Sequence, residues 1–190
     1  MVRPAEFRFN SGCLALDLPA TIRRRSSEPE DVLAAPGAPA RWLRDARLSE
    51  DLLSLSEAEQ QALIALRAAI WAVADAARQN QPLPDTEVDA INQAASHHLA
   101  IPALDAATSA VRFIADDPLR IALAIIARDT INLLSTPARR QIKACAQDDC
   151  QMLFLDSSRS SRRRWCSMDR CGSRAKGETF RHRHKEGVAT

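Results

Sequence analysis

Four of the chain's five cysteines fall in two equally spaced pairs near the C-terminus, Cys145-x4-Cys150 and Cys166-x4-Cys171. Each pair can close a tight loop, and the 15 residues between the pairs leave room for a hairpin that brings the two loops together. Zn²⁺ binds four thiolates tetrahedrally, and a closed site of this kind is structural because no position remains for water or substrate. The spacing therefore predicts one structural zinc ion per chain.

Paired cysteines can also form disulfides or a redox pair. Residues 1–6 lack the apolar core of a secretory signal, which predicts a cytoplasmic protein in a reducing environment. Paired cysteines in such an environment are typical of metal ligands, so zinc is favoured over both alternatives. No run of residues approaches the roughly 18 apolar residues that span a bilayer, so no membrane association is expected.

The rest of the chain has the pattern of helices. Ser56 and Glu59 are spaced as a capping box, and the apolar residues that follow predict a helix from about Glu57 to Ala77. Further helices are predicted to begin at Pro84-Asp85 and at Asp117-Pro118.

The helical pattern ends at Ser135-Thr136-Pro137, where we place a domain boundary between residues 1–138 and 139–190. Residues 136–140 form a short connection without a Gly/Ser run, which predicts that the C-terminal part packs against the N-terminal part. Arg41–Arg44 is expected to be helical, with Trp42 in the core, and Arg24–Pro39 to be an exposed loop. Ala110–Ile114 fits either a short strand or a helix end.

Charge is distributed unevenly between the two parts. Residues 139–190 carry 13 Lys and Arg against 6 Asp and Glu, a balance of +7, whereas residues 1–138 carry 13 against 18, a balance of −5. Because zinc with four thiolates contributes −2, the C-terminal part remains basic. This asymmetry favours a polyanionic partner for the C-terminal part, and the alternative is a solvated basic face that docks on its own acidic neighbour.

Asp17 is the one acidic residue in an apolar stretch that runs from Gly12 to Thr21. A lone buried carboxylate is costly without a partner. Asp17 is therefore expected either to tie this segment to an arginine or to line a pocket. The fifth cysteine, Cys13, is expected to be a small core residue.

The C-terminal residues predict a compact zinc-bound unit. Two short apolar runs flank the first cysteine pair and predict a hairpin, and Phe154 and Trp165 are expected to supply its small core. Gly172 to Lys176 is expected to form the first turn of a helix after Cys171. We therefore predict a mainly α protein with a helical N-terminal domain, followed by a small treble-clef-like zinc finger made of a β-hairpin and a C-terminal helix.

Several motifs give the chain a family resemblance. The cysteine spacing, Leu153-Phe154-Leu155-Asp156, Arg163-Arg164-Trp165-Cys166-Ser167-Met168 and Cys171-Gly172-Ser173-Arg174 resemble the CGNR zinc finger. Leu16-Asp17-Leu18-Pro19-Ala20-Thr21 is similar to the N-terminal motif of bacterial ABATE-domain proteins, which join that domain to a CGNR finger. The resemblance implies a stress-induced transcription regulator.

Two positions depart from the family pattern. Ser173 stands where the finger motif has asparagine, and a serine keeps a hydrogen bond of shorter reach. Ala20 stands where the N-terminal motif has asparagine, and an alanine keeps no side-chain hydrogen bond.

These observations lead us to predict a cytoplasmic regulator that binds DNA through its finger, with a helical domain that senses a small ligand or forms a homodimer. Phosphate contacts would come from seven basic residues: Arg162, Arg163, Arg164, Arg174, Lys176, Arg181 and Lys185. The alternative is a zinc-stabilised module that binds protein or RNA rather than DNA. We expect no enzyme activity, because the sequence has no recognisable nucleophile and base pair, phosphate loop or open metal site.

Overall fold

The fold comes from a computed structural model that describes residues 7–98, 101–114, 117–178 and 181. Its helices are α1 (Leu14–Asp17), α2 (Ala38–Asp45), α3 (Glu57–Arg78), α4 (Asp85–Ala95) and α5 (Pro118–Ser135). Antiparallel pairs are formed by β1 (Ile22–Arg23) with β2 (Glu30–Asp31), β3 (Ile101–Leu104) with β4 (Val111–Ile114), and β5 (Ile142–Ala144) with β6 (Leu153–Leu155). The predicted mainly α architecture with a C-terminal hairpin is confirmed.

The two long helices begin where their capping residues predict. At α3, the Ser56 hydroxyl accepts the Glu59 amide at 3.4 Å, and the Glu59 carboxylate accepts the Ser56 amide at 2.7 Å. At α5, Asp117 accepts the Arg120 amide at 3.0 Å, and Pro118 fills the first helical position. Both caps satisfy amides that have no partner inside the helix.

The helices α2 to α5 share an apolar core of their own. Its largest fully buried side chains include Trp42 of α2, Leu63 and Ile70 of α3, and Ile126 of α5, and α4 adds the buried Ile91. Each buried Leu or Ile contributes roughly 1.5–3 kcal/mol relative to exposure. The helical body therefore has a hydrophobic core that does not depend on the cysteines.

The prediction of an exposed loop from Arg24 to Pro39 holds for residues 26–30 and 34–37, which are exposed, but not for the whole segment. β2 lies within it, Val32 and Leu33 are buried, and α2 has already begun at Ala38. The segment is held by Asp31, whose two carboxylate oxygens each accept a guanidinium nitrogen of the buried Arg67 at 2.7 Å. This bidentate pair, together with the insertion of Leu33 into the core, explains why a polar-looking segment is ordered.

The segment from Ala110 to Ile114 is a strand rather than a helix end. It pairs with Ile101–Leu104, which the sequence did not identify as a strand. The pairing places Leu104 opposite Val111, and both side chains are exposed, by 72% and 63%. Pro102 is tolerated there because a two-stranded sheet has free edges.

The C-terminal part, which we call the finger and of which residues 139–178 and 181 are described, packs against the helical body as the short connection predicts. The Leu155 amide of β6 donates to the Ser11 carbonyl at 2.6 Å, and Ile142 and Leu153 are buried in a cluster with residues of α1, α3 and α5. Gly12 adjoins this contact with φ of +100°, and a Cβ there would lie 2.9 Å from the Leu155 Cβ. We call this contact between residues 11–16 and β6 the seam.

Within the described residues, none of the helices combines the length and the apolar character that a bilayer crossing requires.

We predict that Gly12→Ala lowers the free energy of unfolding by more than about 1 kcal/mol, because the left-handed backbone and the approach of Leu155 both exclude a Cβ. Gly177→Ala is the matched control. Gly177 lies in helix 173–178, and its Cβ would meet only the end of the Arg181 side chain at 3.4 Å. That change should stabilise the finger helix by about 0.5–1 kcal/mol. Urea unfolding of both variants measures this, and equal midpoints for Gly12→Ala and the parent would contradict the packing argument.

Candidate metal centre and the residues around it

The first cysteine pair lies at the tip of the β5–β6 hairpin. The Cys145 amide donates to the Met152 carbonyl at 2.9 Å, which extends the hairpin beyond β5. The Cys150 amide donates to the Gln147 carbonyl at 2.9 Å, and Gln151 takes a left-handed φ of +46°. The chain therefore turns back sharply between the two strands and directs both thiols to one side.

The second pair is brought to the first by backbone contacts. The Ala146 amide donates to the Arg164 carbonyl at 2.8 Å, and the Cys166 amide lies 3.4 Å from the Cys145 sulfur. Cys171 lies in a wide π-type turn, Met168–Gly172, which continues into helix 173–178. The predicted helix after Cys171 is present at residues 173–178, and the π-type turn joins the last ligand to that helix.

The four sulfurs form one tight, buried group. All lie within 4.8 Å of one another, with Cys150 and Cys166 at 3.8 Å and Cys166 and Cys171 at 3.6 Å. Zn–S bonds of 2.3 Å in a tetrahedron place the sulfurs about 3.8 Å apart, so these distances fit the ion. It is the one group of potential metal ligands among the described residues.

The electrostatics of the group require a cation. The Cys145 thiolate accepts hydrogen bonds from the Cys150 and Cys166 thiols, which lowers the pKa of Cys145 to about 2. Burial raises the pKa of Cys171 to about 12, and negative charge on Cys150 and Cys145 raises it further. Four thiolates therefore cannot share this site at neutral pH unless a metal ion offsets their repulsion. The predicted structural zinc ion is supported by both the geometry and the chemistry of the donors.

Asp156 is a structural residue of the finger whose role the sequence motif did not reveal. Its buried carboxylate accepts from Lys143 Nζ at 2.6 Å, Ser158 Oγ at 2.6 Å and the Arg163 amide at 3.0 Å. The Lys143 bond and then the Ser158 bond hold the pKa of Asp156 well below its usual range. The sequence signal was the Asp-Ser-Ser run directly after a strand, which is typical of a turn that an aspartate side chain organises.

The small core of the finger differs from the prediction in one respect. Phe154 is fully buried, as expected, but Trp165 is only partly buried at the edge of the cysteine cluster. Ala20 of the body is buried against the cysteines, together with Met152. The body thus completes the core around the metal centre.

Both parts of the chain match family models. A family described as "Putative stress-induced transcription regulator" matches residues 12–137, which is more than half of the chain. The chain belongs to the ABATE family. A second model, the CGNR zinc finger, matches residues 141–184 of this ABATE protein, so the predicted resemblance is confirmed on both sides of the seam. No curated protein matches the chain.

The two departures from the family motifs have different consequences. Ser173 keeps a hydrogen bond, from its hydroxyl to the Met168 carbonyl at 3.2 Å, within the turn that carries Cys171. Ala20 places a methyl group against the cysteine cluster, where the family motif places an amide side chain. The second replacement therefore makes the junction with the finger more apolar in this ABATE protein.

The three adjacent arginines do not share one role. All three were predicted to contact phosphate, but Arg163 donates to the carbonyls of Trp165 and Cys166 and lies 4.7 Å above the Phe154 ring. Arg162 and Arg164 are exposed, and Arg164 stacks 5.1 Å from the Trp165 ring. Arg163 thus supports the fold of the finger, and its neighbours remain available to solvent.

The other predicted basic residues are partly described. Arg174 is exposed and forms a bidentate ion pair with Asp149. Lys176 and Arg181 are exposed, and Lys185 lies outside the described residues. A role of these four residues in nucleic-acid binding stays a prediction.

Asp17 supports the seam through Ser11. Its Oδ1 accepts from the Ser11 amide at 3.1 Å and from the Ser11 hydroxyl at 2.6 Å, and the Ser11 carbonyl in turn accepts the Leu155 amide. Burial raises the pKa of Asp17, and the two Ser11 bonds oppose that shift. The predicted arginine partner is wrong, because Ser11 takes that place. A role of Asp17 in a ligand pocket stays a prediction.

We predict one equivalent of zinc in the purified protein and its loss in Cys166→Ser, because three thiolates leave the tetrahedron incomplete. Cys13→Ser is the matched control, since Cys13 lies outside the cluster and should leave zinc content unchanged. Removing the metal with a chelator should unfold the finger and preserve most of the helical circular dichroism, because the body has its own core. A full equivalent of zinc in Cys166→Ser would contradict the ligand assignment.

We predict a contrast between two changes at Asp17. Asp17→Ala leaves the buried Ser11 amide and hydroxyl without an acceptor, which should lower the free energy of unfolding by about 1–3 kcal/mol. Asp17→Asn keeps an oxygen at the same place and removes a buried charge, so its stability should equal or exceed that of the parent. Denaturant unfolding at neutral pH distinguishes the two, and equal losses in both variants would show that the charge itself is required.

Proposed function

We propose that this ABATE protein is a transcription regulator whose CGNR finger contacts the phosphate backbone of DNA. The observation that carries the proposal is an open groove of about 620 Å³ with a basic lining. Its cations are Arg78 of α3, Lys143 of β5, and Arg162, Arg163 and Arg164. Its apolar lining comes from Ile142, Ala144 and Ala146.

Existing ion pairs decide which of these cations are available. Arg78 binds Asp75 at 2.6 Å, Lys143 binds Asp156 at 2.6 Å, and Arg163 is engaged within the finger. Arg162 and Arg164 are exposed and form no ion pair with a described residue. These two arginines are therefore the best candidates for phosphate contacts, and the stacked Trp165 ring limits the motion of Arg164.

The chemistry of the groove favours affinity over sequence choice. Guanidinium groups bind phosphate oxygens through paired N–H donors, and such contacts position a protein on DNA without reading bases. A finger of this size buries little surface on DNA, so we further propose that the protein acts as a homodimer. The proposed location is the cytoplasm, and no catalysis is expected because a four-thiolate zinc ion has no open position.

The experiment is a salt-dependent titration of the zinc-loaded protein against random duplex DNA. The double variant Arg162→Gln/Arg164→Gln should flatten the slope of log affinity against log salt by about 0.9 per lost contact, because fewer counterions are released. Arg44→Gln/Arg120→Gln is the matched control, since it removes two exposed positive charges from the helical body and should leave the slope unchanged.

Zinc content and thermal unfolding are measured on all three proteins, so that a loss of fold is not taken for a loss of contacts. An unchanged slope in a folded Arg162→Gln/Arg164→Gln variant would remove these arginines from the interface. A parent that fails to bind duplex DNA at low salt would favour the interaction-module alternative, and a parallel titration with single-stranded RNA tests one form of it.

A further inference from the structure

A second basic cavity lies where the helical body and the finger meet, beside the metal centre. It has a volume of about 260 Å³. The body lines it with Arg8, Arg23, Arg24 and Glu30, and the finger lines it with Cys150, Arg170, Cys171 and Arg174. The groove proposed for DNA shares none of these residues.

The lining presents five guanidinium groups and one carboxylate. Three of the arginines have carboxylate neighbours: Arg23 lies 3.8 Å from Glu30, Arg24 lies 2.8 Å from Glu28, and Arg174 pairs with Asp149. A guanidinium carries five N–H donors, and a bidentate carboxylate takes two of them. The Arg174 pair is bidentate, and Arg24 and Arg174 keep further donors that an anion can use.

Part of the positive charge in the lining offsets the negative charge of the metal centre. A zinc tetrathiolate carries −2, and two of its ligands, Cys150 and Cys171, face the cavity. Arg170 and Arg174, which come from the turn and helix around Cys171, are placed to offset that charge. The three arginines from the body belong to a separate part of the chain, and the finger's own charge does not explain their convergence.

Arg8 provides an independent indication of a ligand. Its Nε–H is buried and has no acceptor among the described residues. A buried donor without a partner is rare in native structures, because its desolvation is not compensated. An oxygen-rich anion in the cavity would supply the missing acceptor.

We infer that this cavity binds the phosphate group of a small molecule. A phosphate offers oxygens in several directions, which suits guanidinium groups that converge from two parts of the chain, whereas a single carboxylate offers two oxygens in one plane. The volume lies just below the usual range for small-molecule sites, which fits a compact ligand. Because the lining comes from both parts, the ligand bridges the body and the finger.

The bridging position predicts the effect of the ligand. A molecule that binds the folded protein across this contact stabilises it by mass action, by an amount that grows with the logarithm of its concentration above the dissociation constant. The negative charge of the ligand also reduces the repulsion between the arginines of the body and those of the finger. Binding of the ligand would thus affect how the finger is held against the body. This inference does not depend on DNA binding by Arg162 and Arg164.

The test measures binding of inorganic phosphate and pyrophosphate to the full-length, zinc-loaded protein by calorimetry and by thermal unfolding, at constant ionic strength set with chloride. We expect saturable binding and a rise in melting temperature. The double variant Arg8→Gln/Arg24→Gln should weaken binding at least tenfold, and the control Arg44→Gln/Arg120→Gln should bind as the parent does. If the double variant loses zinc, Arg24→Gln alone replaces it as the test. Because Arg24 is exposed, this single change should weaken phosphate binding without disturbing the fold.

Three results would overturn the inference: no saturable binding in the parent, equal binding by the cavity variants and the control, or displacement of phosphate by duplex DNA with the same dependence on Arg8 and Arg24. The last result would assign the cavity to nucleic-acid backbone instead of a small molecule. If Arg162→Gln/Arg164→Gln still binds phosphate, the phosphate site is separate from the proposed DNA contacts. The DNA proposal is then decided by the salt-dependent titration described above.

Discussion

The mutual repulsion of four buried thiolates, and its relief by one metal ion, is the constraint on which the rest of the finger depends. Phe154 is the one fully buried aromatic residue in the described part of the finger, and a unit of this size cannot fold on apolar burial alone. Metal binding brings the hairpin tip and the π-type turn together, and Arg163 then lies over the Phe154 ring while it donates to the carbonyls of Trp165 and Cys166. Because Arg162 and Arg164 lie shortly before Cys166, coordination of that cysteine fixes the segment that carries them.

A second layer of order comes from the backbone bond between Leu155 and Ser11. The finger contributes the donor, the body contributes the acceptor, and Asp17 holds the acceptor in position through two hydrogen bonds. Asp129 of α5 accepts the Ala15 amide at 2.7 Å, which fixes the same segment from its other side. Asp17, which the sequence analysis considered for a ligand pocket, thus has a structural role in supporting the seam.

The sequence was informative wherever one residue type determined the local structure. Cysteine spacing predicted the metal site, and the caps at Ser56 and Asp117 predicted two helix starts, because these effects act over a few residues. It was uninformative where a distant partner decided the outcome. Asp31 is ordered by Arg67, 36 positions away, and no local pattern could show that pairing.

The same distinction applies to the candidate sites. The run Arg162-Arg163-Arg164 looks uniform in sequence, but only the folded finger reveals that Arg163 faces inward. The cavity beside the metal centre gave no signal at all in sequence, since its arginines come from three stretches between Arg8 and Arg174. Its detection required the tertiary structure.

The burial of Ala20 against the cysteine cluster limits how freely this chain could have been assembled from parts. Zinc fingers are often treated as modules that fold independently of the protein to which they are attached. Here the finger's core includes a methyl group from the body, and its inner strand face is covered by α1, α3 and α5. A graft of residues 139–190 onto an unrelated protein would expose that apolar face, so the body and the finger have to be inherited and altered as one unit.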